Sequence, residues 1–223
     1  MPWTTLVCLP ADTPPSDYAV QAELRLARAG LTAAGLLRHF PAVTRWRRGS
    51  LLLPLRGAAA GGPVARLQLD AMREGVHRLH WFRWQAWRQT VAGTPTAKPY
   101  WMFLDRHRAA PHRYEFARAR TDYLSQPRIA AMRVYNAMPY RPFDLPTSHL
   151  EALQLGAETY THLGWLSAVP GRALLDPDGL LLAQPDDRLD ARLTYLEQAN
   201  RCLNLLGRRD VLVAAVTEPR ERG

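Results

Sequence analysis

The apolar positions of this chain fall into short runs whose spacing changes along its length. Trp3 to Leu9 is a β-branched and apolar run that stops at Pro10, and it reads as a strand. The turn sequence ADTPPS follows, with Ser16 or Asp17 placed to cap a helix. From Tyr18 to about Phe40 alanine and leucine dominate, which predicts a helix with weak points at Gly30 and Gly35. Ser50 to Leu55 is a second short apolar run and predicts a strand. The first 56 residues thus read as strand, helix, strand.

Further along, GAAAGGP at 57–63 reads as a loop, without the Lys-Ser/Thr ending of a phosphate-binding loop. Leu67, Met72, Val76 and Leu79 suggest a helix within Val64 to Thr90, whose tryptophan-rich end is ambiguous. Tyr100 to Leu104 predicts a strand, and Tyr114 to Leu124 and Pro127 to Ala137 predict helices, Pro127 at a first-turn position. PYRPFDLP at 139–146 is an irregular connector, and His149 to Leu163 predicts another helix. A hairpin or loop is expected at Pro177–Gly179. Leu189, Leu193, Leu196, Leu203 and Leu206 then recur at helical spacing before Gly207, and Val211 to Val216 closes as a strand. The class is α+β, with strands too scattered for a doubly wound sheet. The expected division is 1–56, a basic, aromatic-rich helical insertion at 57–141, and 142–223 returning to form one compact unit with the N-terminus.

Composition excludes several classes. At 223 residues, 47% hydrophobic and 22% charged, the chain has the make-up of a globular protein. No run of 18 apolar residues and no signal-peptide pattern occurs, so a cytoplasmic location without a membrane partner is expected. Cys8 and Cys202 lie far apart and outside any metal-ligand spacing. Two free thiols are expected, with no disulfide framework, no metal and no cofactor.

Charge changes the picture more. The chain carries 29 basic and 20 acidic residues, and every base but Lys98 is arginine. Arginine-rich codon usage accounts for that ratio as readily as phosphate recognition does, so distribution decides more. Residues 1–24 have a net of −3 and residues 142–223 a net of −4, whereas 25–141 hold twenty-one bases against five acids. A field concentrated on one stretch is the footprint of a polyanion partner, the alternative being a solvated basic face.

Three constellations follow. On the predicted first helix Gln21, Arg25, Arg28, Thr32 and His39 share a stripe, followed by Arg38, Arg45, Arg47 and Arg48, with no acid between Glu23 and Asp70 to pair them. The segment His77 to Arg88 interleaves His80, Trp81, Arg83, Trp84, Trp87 and Arg88. Rings suit base stacking and guanidinium groups suit phosphates, but tryptophans every three residues also suit a core. Arg106, His107, Arg108, His112, Arg113, Arg118 and Arg120 form a third basic cluster near a predicted strand end.

The opening strand TTLVCLP, the helix DYAVQAELRLARAGLTAAGLLRHF and the strand SLLLPLRG, with excess arginine, resemble the RAMP-type CRISPR-associated proteins. Among these the chain is most similar to the CRISPR RNA-processing endoribonucleases of type IV systems. The resemblance implies a ferredoxin-like N-terminal part with additional helices. It also implies binding of CRISPR repeat or guide RNA, metal-independent cleavage of that RNA, and association with other subunits of a ribonucleoprotein complex. The candidate assignment is His39 as acid or base, Arg38 beside it, and Arg25 and Arg28 on phosphates. Two alternatives stay open: a non-catalytic module, such as a DNA-binding regulator or scaffold subunit, and a small-molecule enzyme with a basic cleft.

Overall fold

A computed structural model describes residues 2–42, 48–186 and 188–219. Over these the chain is mixed α+β, 51% helical and 19% strand, with 8 helices and a mixed sheet. In chain order the elements are β1 (Trp3–Leu9), α1 (Tyr18–Arg28), β2 (Leu31–Leu36), β3 (Phe40–Pro41), β4 (Ala58–Ala59), β5 (Gly61–Pro63) and α2 (Leu69–Thr90). Then come α3 (Tyr100–Ala109), α4 (Phe116–Leu124), α5 (Pro127–Ala137), α6 (Leu150–Gln154), α7 (Ala157–Ser167), β6 (Ala173–Leu175), β7 (Leu181–Ala183), α8 (Leu189–Leu205) and β8 (Val211–Pro219).

The chain divides into two compact units. The sheet unit comprises 1–75, 165–186 and 190–223, and the helical unit comprises 76–164 with 187–189. These bounds differ from the expected 57–141 insertion for identifiable reasons. Gly61–Pro63 pair with Val211–Val213 of β8, which ties residues 57–75 to the sheet. Leu145 is clamped by Asn136, and Gln154 by Ala97, which ties residues 142–164 to the helices.

In the sheet unit, β1 pairs antiparallel with β8 from Trp3↔Thr217 to Leu9↔Val211 and parallel with β6 on its other edge. The strand order is β2-β8-β1-β6-β7, with β5 also on β8, and β3 and β4 form a separate small ladder. Strands β1 and β2 therefore run parallel with β8 between them, joined through α1 as a split β–α–β unit. Alternation along the strands aims Val7, Leu9, Val211, Val213 and Ala215 at one face, where Tyr18, Ala22 and Leu26 of α1 cover them. Burying one such leucine contributes about 1.5–3 kcal/mol. Leu6 and Cys8 are buried on the opposite face.

Two glycines shape this unit. Gly30 takes φ +76°, and its N–H bonds the Ala27 carbonyl at 3.1 Å, so α1 stops at Arg28 and the chain turns into β2. The helix expected as far as Phe40 is therefore cut short. The second strand is Leu31–Leu36 rather than Ser50–Leu55, where Leu52 and Leu55 make only isolated bridges. A Cβ at Gly61 would strike the Leu212 carbonyl, so the close approach of β5 to β8 requires glycine.

The helical unit has connectors whose backbone groups are satisfied by side-chain amides. Gln126 bonds both the N–H and the C=O of Lys98, Gln154 those of Ala97, and Asn136 those of Leu145, at 2.7–3.0 Å. Tyr100–Leu104, expected as a strand, is the start of α3. Tyr100 and Phe103 pack on Tyr123 of α4, with ring centroids 4.9 and 5.9 Å away. The helix expected over His149–Leu163 is broken into α6 and α7 at Gly156, φ +111°. Among the described residues no helix is long and apolar enough to cross a membrane.

Candidate nucleic-acid interface

Helix α2 from Val76 onward has two unlike faces. His80 and Trp87 are buried, and Arg83 is half-buried. Trp81 and Phe82 are 44% and 59% exposed, with His77, Arg78 and Arg88 exposed around them. Trp81 stacks on Trp84 at 6.2 Å with 25° between the planes, and the Arg88 guanidinium lies 5.6 Å from the Trp84 centroid. Trp84 is fixed from behind, its Nε1–H donating to the Leu153 carbonyl at 3.3 Å. The outcome is a surface ladder of ring, ring and cation. No acidic residue occurs between Glu74 and Asp105 in the sequence. Neither Arg78 nor Arg88 has a hydrogen-bond acceptor among the described residues, so both keep their N–H edges for a ligand.

One sequence candidate on this helix is corrected. His80 faces inward: its Nδ1 lies 2.9 Å from the Val76 carbonyl, and its ring packs 4.6 Å from Tyr160. Gly164 makes room for that ring, since a Cβ there would collide with it. His80 is therefore a packing residue of the helical unit. Arg83 is half-buried, with its Nε buried and without an acceptor among the described residues. Of the three tryptophans, Trp87 is core, Trp84 is half-buried and Trp81 is presented outward.

A second basic cluster lies where α3 meets α4. Tyr114 is buried, and the guanidinium groups of Arg106 and Arg118 lie 4.3 and 5.8 Å from its ring centroid. Its hydroxyl donates to Asp122 at 2.8 Å, and His107 Nδ1 sits 2.8 Å from its backbone carbonyl. Arg113 and Arg120 are exposed and unpaired among the described residues, next to Phe116 at 52% exposure. Arg108 differs, because Asp105 takes its Nη1 at 3.1 Å and also Arg188 Nη2 at 2.8 Å. Tyr114 is the platform that sequence reading missed. Its partners lie eight positions before it and four after it, on two helices, and no single period links them.

The sheet unit uses its arginines otherwise. Arg25 Nη1 donates to the carbonyls of Cys8, Asp176 and Pro177 at 2.9, 3.3 and 2.9 Å, tying α1 to the ends of β1 and β6. It holds the fold together, so its assignment to phosphate is corrected. Arg28 is exposed at the end of α1, and Arg38 is exposed with its Nε on the Leu53 carbonyl at 3.0 Å. Thr32 and His39 lie beyond Gly30, so the expected helical stripe through Arg25, Arg28 and His39 does not exist as a stripe. His39 is half-buried, with its Nε2 2.9 Å from the Val169 carbonyl and its ring edge-on to Phe40. A carbonyl only accepts, so Nε2 carries the proton and Nδ1 keeps a lone pair. Burial holds this imidazole below its ordinary pKa, outweighing the opposing effect of the Val169 bond. Arg45 and Arg47, and the side chain of Arg48, lie outside the described residues.

By sequence count, the helical unit holds thirteen bases and seven acids, and the sheet unit sixteen bases and thirteen acids. Among the described residues, the arginines of 25–141 that pair with an acid meet Asp70, Asp105, Asp122 or Asp144. Only Asp144 comes from the acidic C-terminal third. No three side chains of His, Cys, Asp or Glu among the described residues are grouped to hold one metal ion. Comparison with protein families, curated proteins and solved structures returns no match for this chain.

Proposed function

We propose that the chain is an RNA-binding protein that grips single-stranded RNA through the helical unit. The observation that carries the reading is the ladder of exposed Trp81, half-buried Trp84 and exposed Arg88, with Arg78 alongside and neither arginine in an ion pair among the described residues. Bases stack on such rings while guanidinium edges hold phosphates, and stacking on one ring is worth about 1–3 kcal/mol per base. Arg106, Arg118, Arg113 and Arg120 extend phosphate contact over the α3–α4 corner.

The finer reading is a cytoplasmic, CRISPR-type RNA-binding subunit with a ferredoxin-like N-terminal part, cleaving repeat RNA without a metal and remaining in a ribonucleoprotein complex. The split β–α–β unit supports it, although the parallel pairing of β1 with β6 departs from a wholly antiparallel sheet. In this reaction His39 Nδ1 takes the proton of a ribose 2′-hydroxyl. The freed oxygen attacks the adjacent phosphorus, the P–O5′ bond breaks with the 5′-oxygen taking a proton from solvent, and Arg38 offsets the charge that builds on the phosphorane. The products are a 2′,3′-cyclic phosphate and a 5′-hydroxyl.

The purified chain should carry RNA, seen as a raised 260/280 nm absorbance ratio. After the RNA is stripped, a labelled single-stranded RNA should outcompete duplex DNA. Preference for duplex DNA would transfer the site to a DNA-binding regulator, and absence of any salt-sensitive binding would reject nucleic acid altogether.

A further inference from the structure

The inward stripe of α2 runs through His80, Arg83 and Trp87 to Val91 just past its end, at helical spacing. His80, Trp87 and Val91 are buried, and half-buried Arg83 sits among them without an ion pair among the described residues. Arg83 Nε and, one turn further on, Trp87 Nε1 are both buried N–H donors with no acceptor among the described residues. Trp87 is only 6% exposed. A second cation stands at the same ring, the Arg128 guanidinium lying 5.5 Å from the Trp87 centroid. Arg128 donates to Thr94 Oγ1, the Thr94 carbonyl and Gln154 Oε1 at 3.2, 2.8 and 2.8 Å, all neutral acceptors, so its charge meets no carboxylate either. Buried donors and buried charge are costly unless they are matched. A water molecule would satisfy the two N–H groups but leave both guanidinium charges uncompensated. An acceptor that is also an anion answers both needs.

We propose that Arg83 and Trp87 form an oxyanion site in the helical unit that takes a terminal phosphate, the chemistry shared by a 5′-phosphorylated RNA end and free phosphate. A terminal phosphate carries a charge of about −1.5 to −2 near neutral pH, which matches two unpaired guanidinium groups better than a single carboxylate does. It also has three free oxygens and at most one ester link, so it reaches donors beside the core. A phosphate inside a strand is tied on both sides and stays at the surface, where exposed Arg78 and Arg88 meet it. Half-burial of Arg83 leaves the site an entry from solvent. Where the phosphate is the end of an RNA, the inference rests on the RNA-binding reading above; where it is free phosphate, it stands without that reading.

The test melts the full chain, stripped of nucleic acid, in rising inorganic phosphate with ionic strength held constant by chloride. It then compares single-stranded RNAs of one sequence with a 5′-phosphate or a 5′-hydroxyl. Phosphate should raise the melting temperature saturably. A 5′-phosphate should tighten RNA binding by about 10-fold or more, and inorganic phosphate should compete that gain away. Arg83→Met should melt no lower than the native chain in chloride, since it removes an unpaired charge from the stripe, and should lose both phosphate effects. Trp87→Phe, which keeps a ring and removes the N–H, should weaken them, and it decides alone if Arg83→Met does not fold. A phosphate shift that needs Arg83 without any RNA binding supports the site for free phosphate while rejecting the RNA reading. RNA binding that ignores the 5′-phosphate, with no phosphate shift beyond that of chloride, overturns the site and leaves the RNA reading standing. Phosphate effects that survive in both variants also overturn it.

Discussion

Arginine does different work in the two units. In the sheet unit Arg25 spends one guanidinium nitrogen on three backbone carbonyls, and Arg73 is buried between Asp70, Asn200 and the ring of Trp165. In the helical unit the guanidinium groups of Arg88, Arg106 and Arg118 lie over aromatic faces. A carbonyl consumes donors, whereas a ring supports the flat face and leaves the N–H edge open. Arg25 and Arg73 are therefore ties, and Arg88 and Arg106 are presented; Arg128 of the helical unit is a tie as well, because it donates to Thr94 and Gln154 although it lies over Trp87. Net charge alone cannot tell these uses apart; the acceptors around each guanidinium can.

The largest effect that would sharpen this contrast is chemical. His39→Ala should slow RNA cleavage by about 10²–10⁴-fold, the usual contribution of a positioned base, with RNA affinity unchanged. A parallel loss of affinity would move His39 into the binding surface. The same residue makes a pH statement. Its folded-state pKa lies below its unfolded value, so on acidification the unfolded chain takes up the proton first. The stability involved is present above about pH 6.5 and is lost as pH falls through that value towards the folded one. Melting followed on acidification should show this, and His39→Gln should flatten it.

Next come two tryptophans on one helix. Trp87→Ala should lower stability by about 3–5 kcal/mol through the cavity it leaves. Trp81→Ala should leave melting unchanged and weaken single-stranded RNA binding by about 1–3 kcal/mol. Equal effects of both on stability would erase the two-faced helix. Smaller still, Arg25→Ala should lower stability by about 1 kcal/mol, the contribution of the bonds that tie α1 to the ends of β1 and β6, and leave RNA affinity alone. The smallest effect is a slope: Arg106→Gln or Arg120→Gln should each reduce the salt dependence of log affinity by about 0.7, one phosphate contact on a single strand. An unchanged slope in both would remove the α3–α4 corner from the interface.

Some of this was legible in the sequence and some was not, for physical reasons. Strand β1, helix α5 and the final helix–strand pair carry local patterns strong enough to stand alone, and the class α+β follows from them. LTAAGL did not read as a strand because its alanines favour a helix, and only pairing with β8 makes it β2. YWMFL at 100–104 has strand-like residues, yet no strand lies beside it, and packing on Tyr123 sets the outcome. The spacing of Trp81, Trp84 and Trp87 was visible, but its consequence was not. A step of three residues falls about 60° short of a full helical turn, so the rings sweep from solvent into the core. His80 was assigned to the surface because the sequence shows polarity and not the face that Gly164 and Tyr160 occupy.

The most direct measurement is the affinity of a labelled single-stranded RNA for the chain across a range of salt, comparing Trp81→Ala/Arg88→Ala with Arg25→Ala. The account predicts that the first variant loses affinity by about 10-fold or more and has a shallower salt slope, while the second binds like the unaltered chain. If Arg25→Ala weakens binding as much, or the double variant binds normally, the helical unit does not hold the RNA.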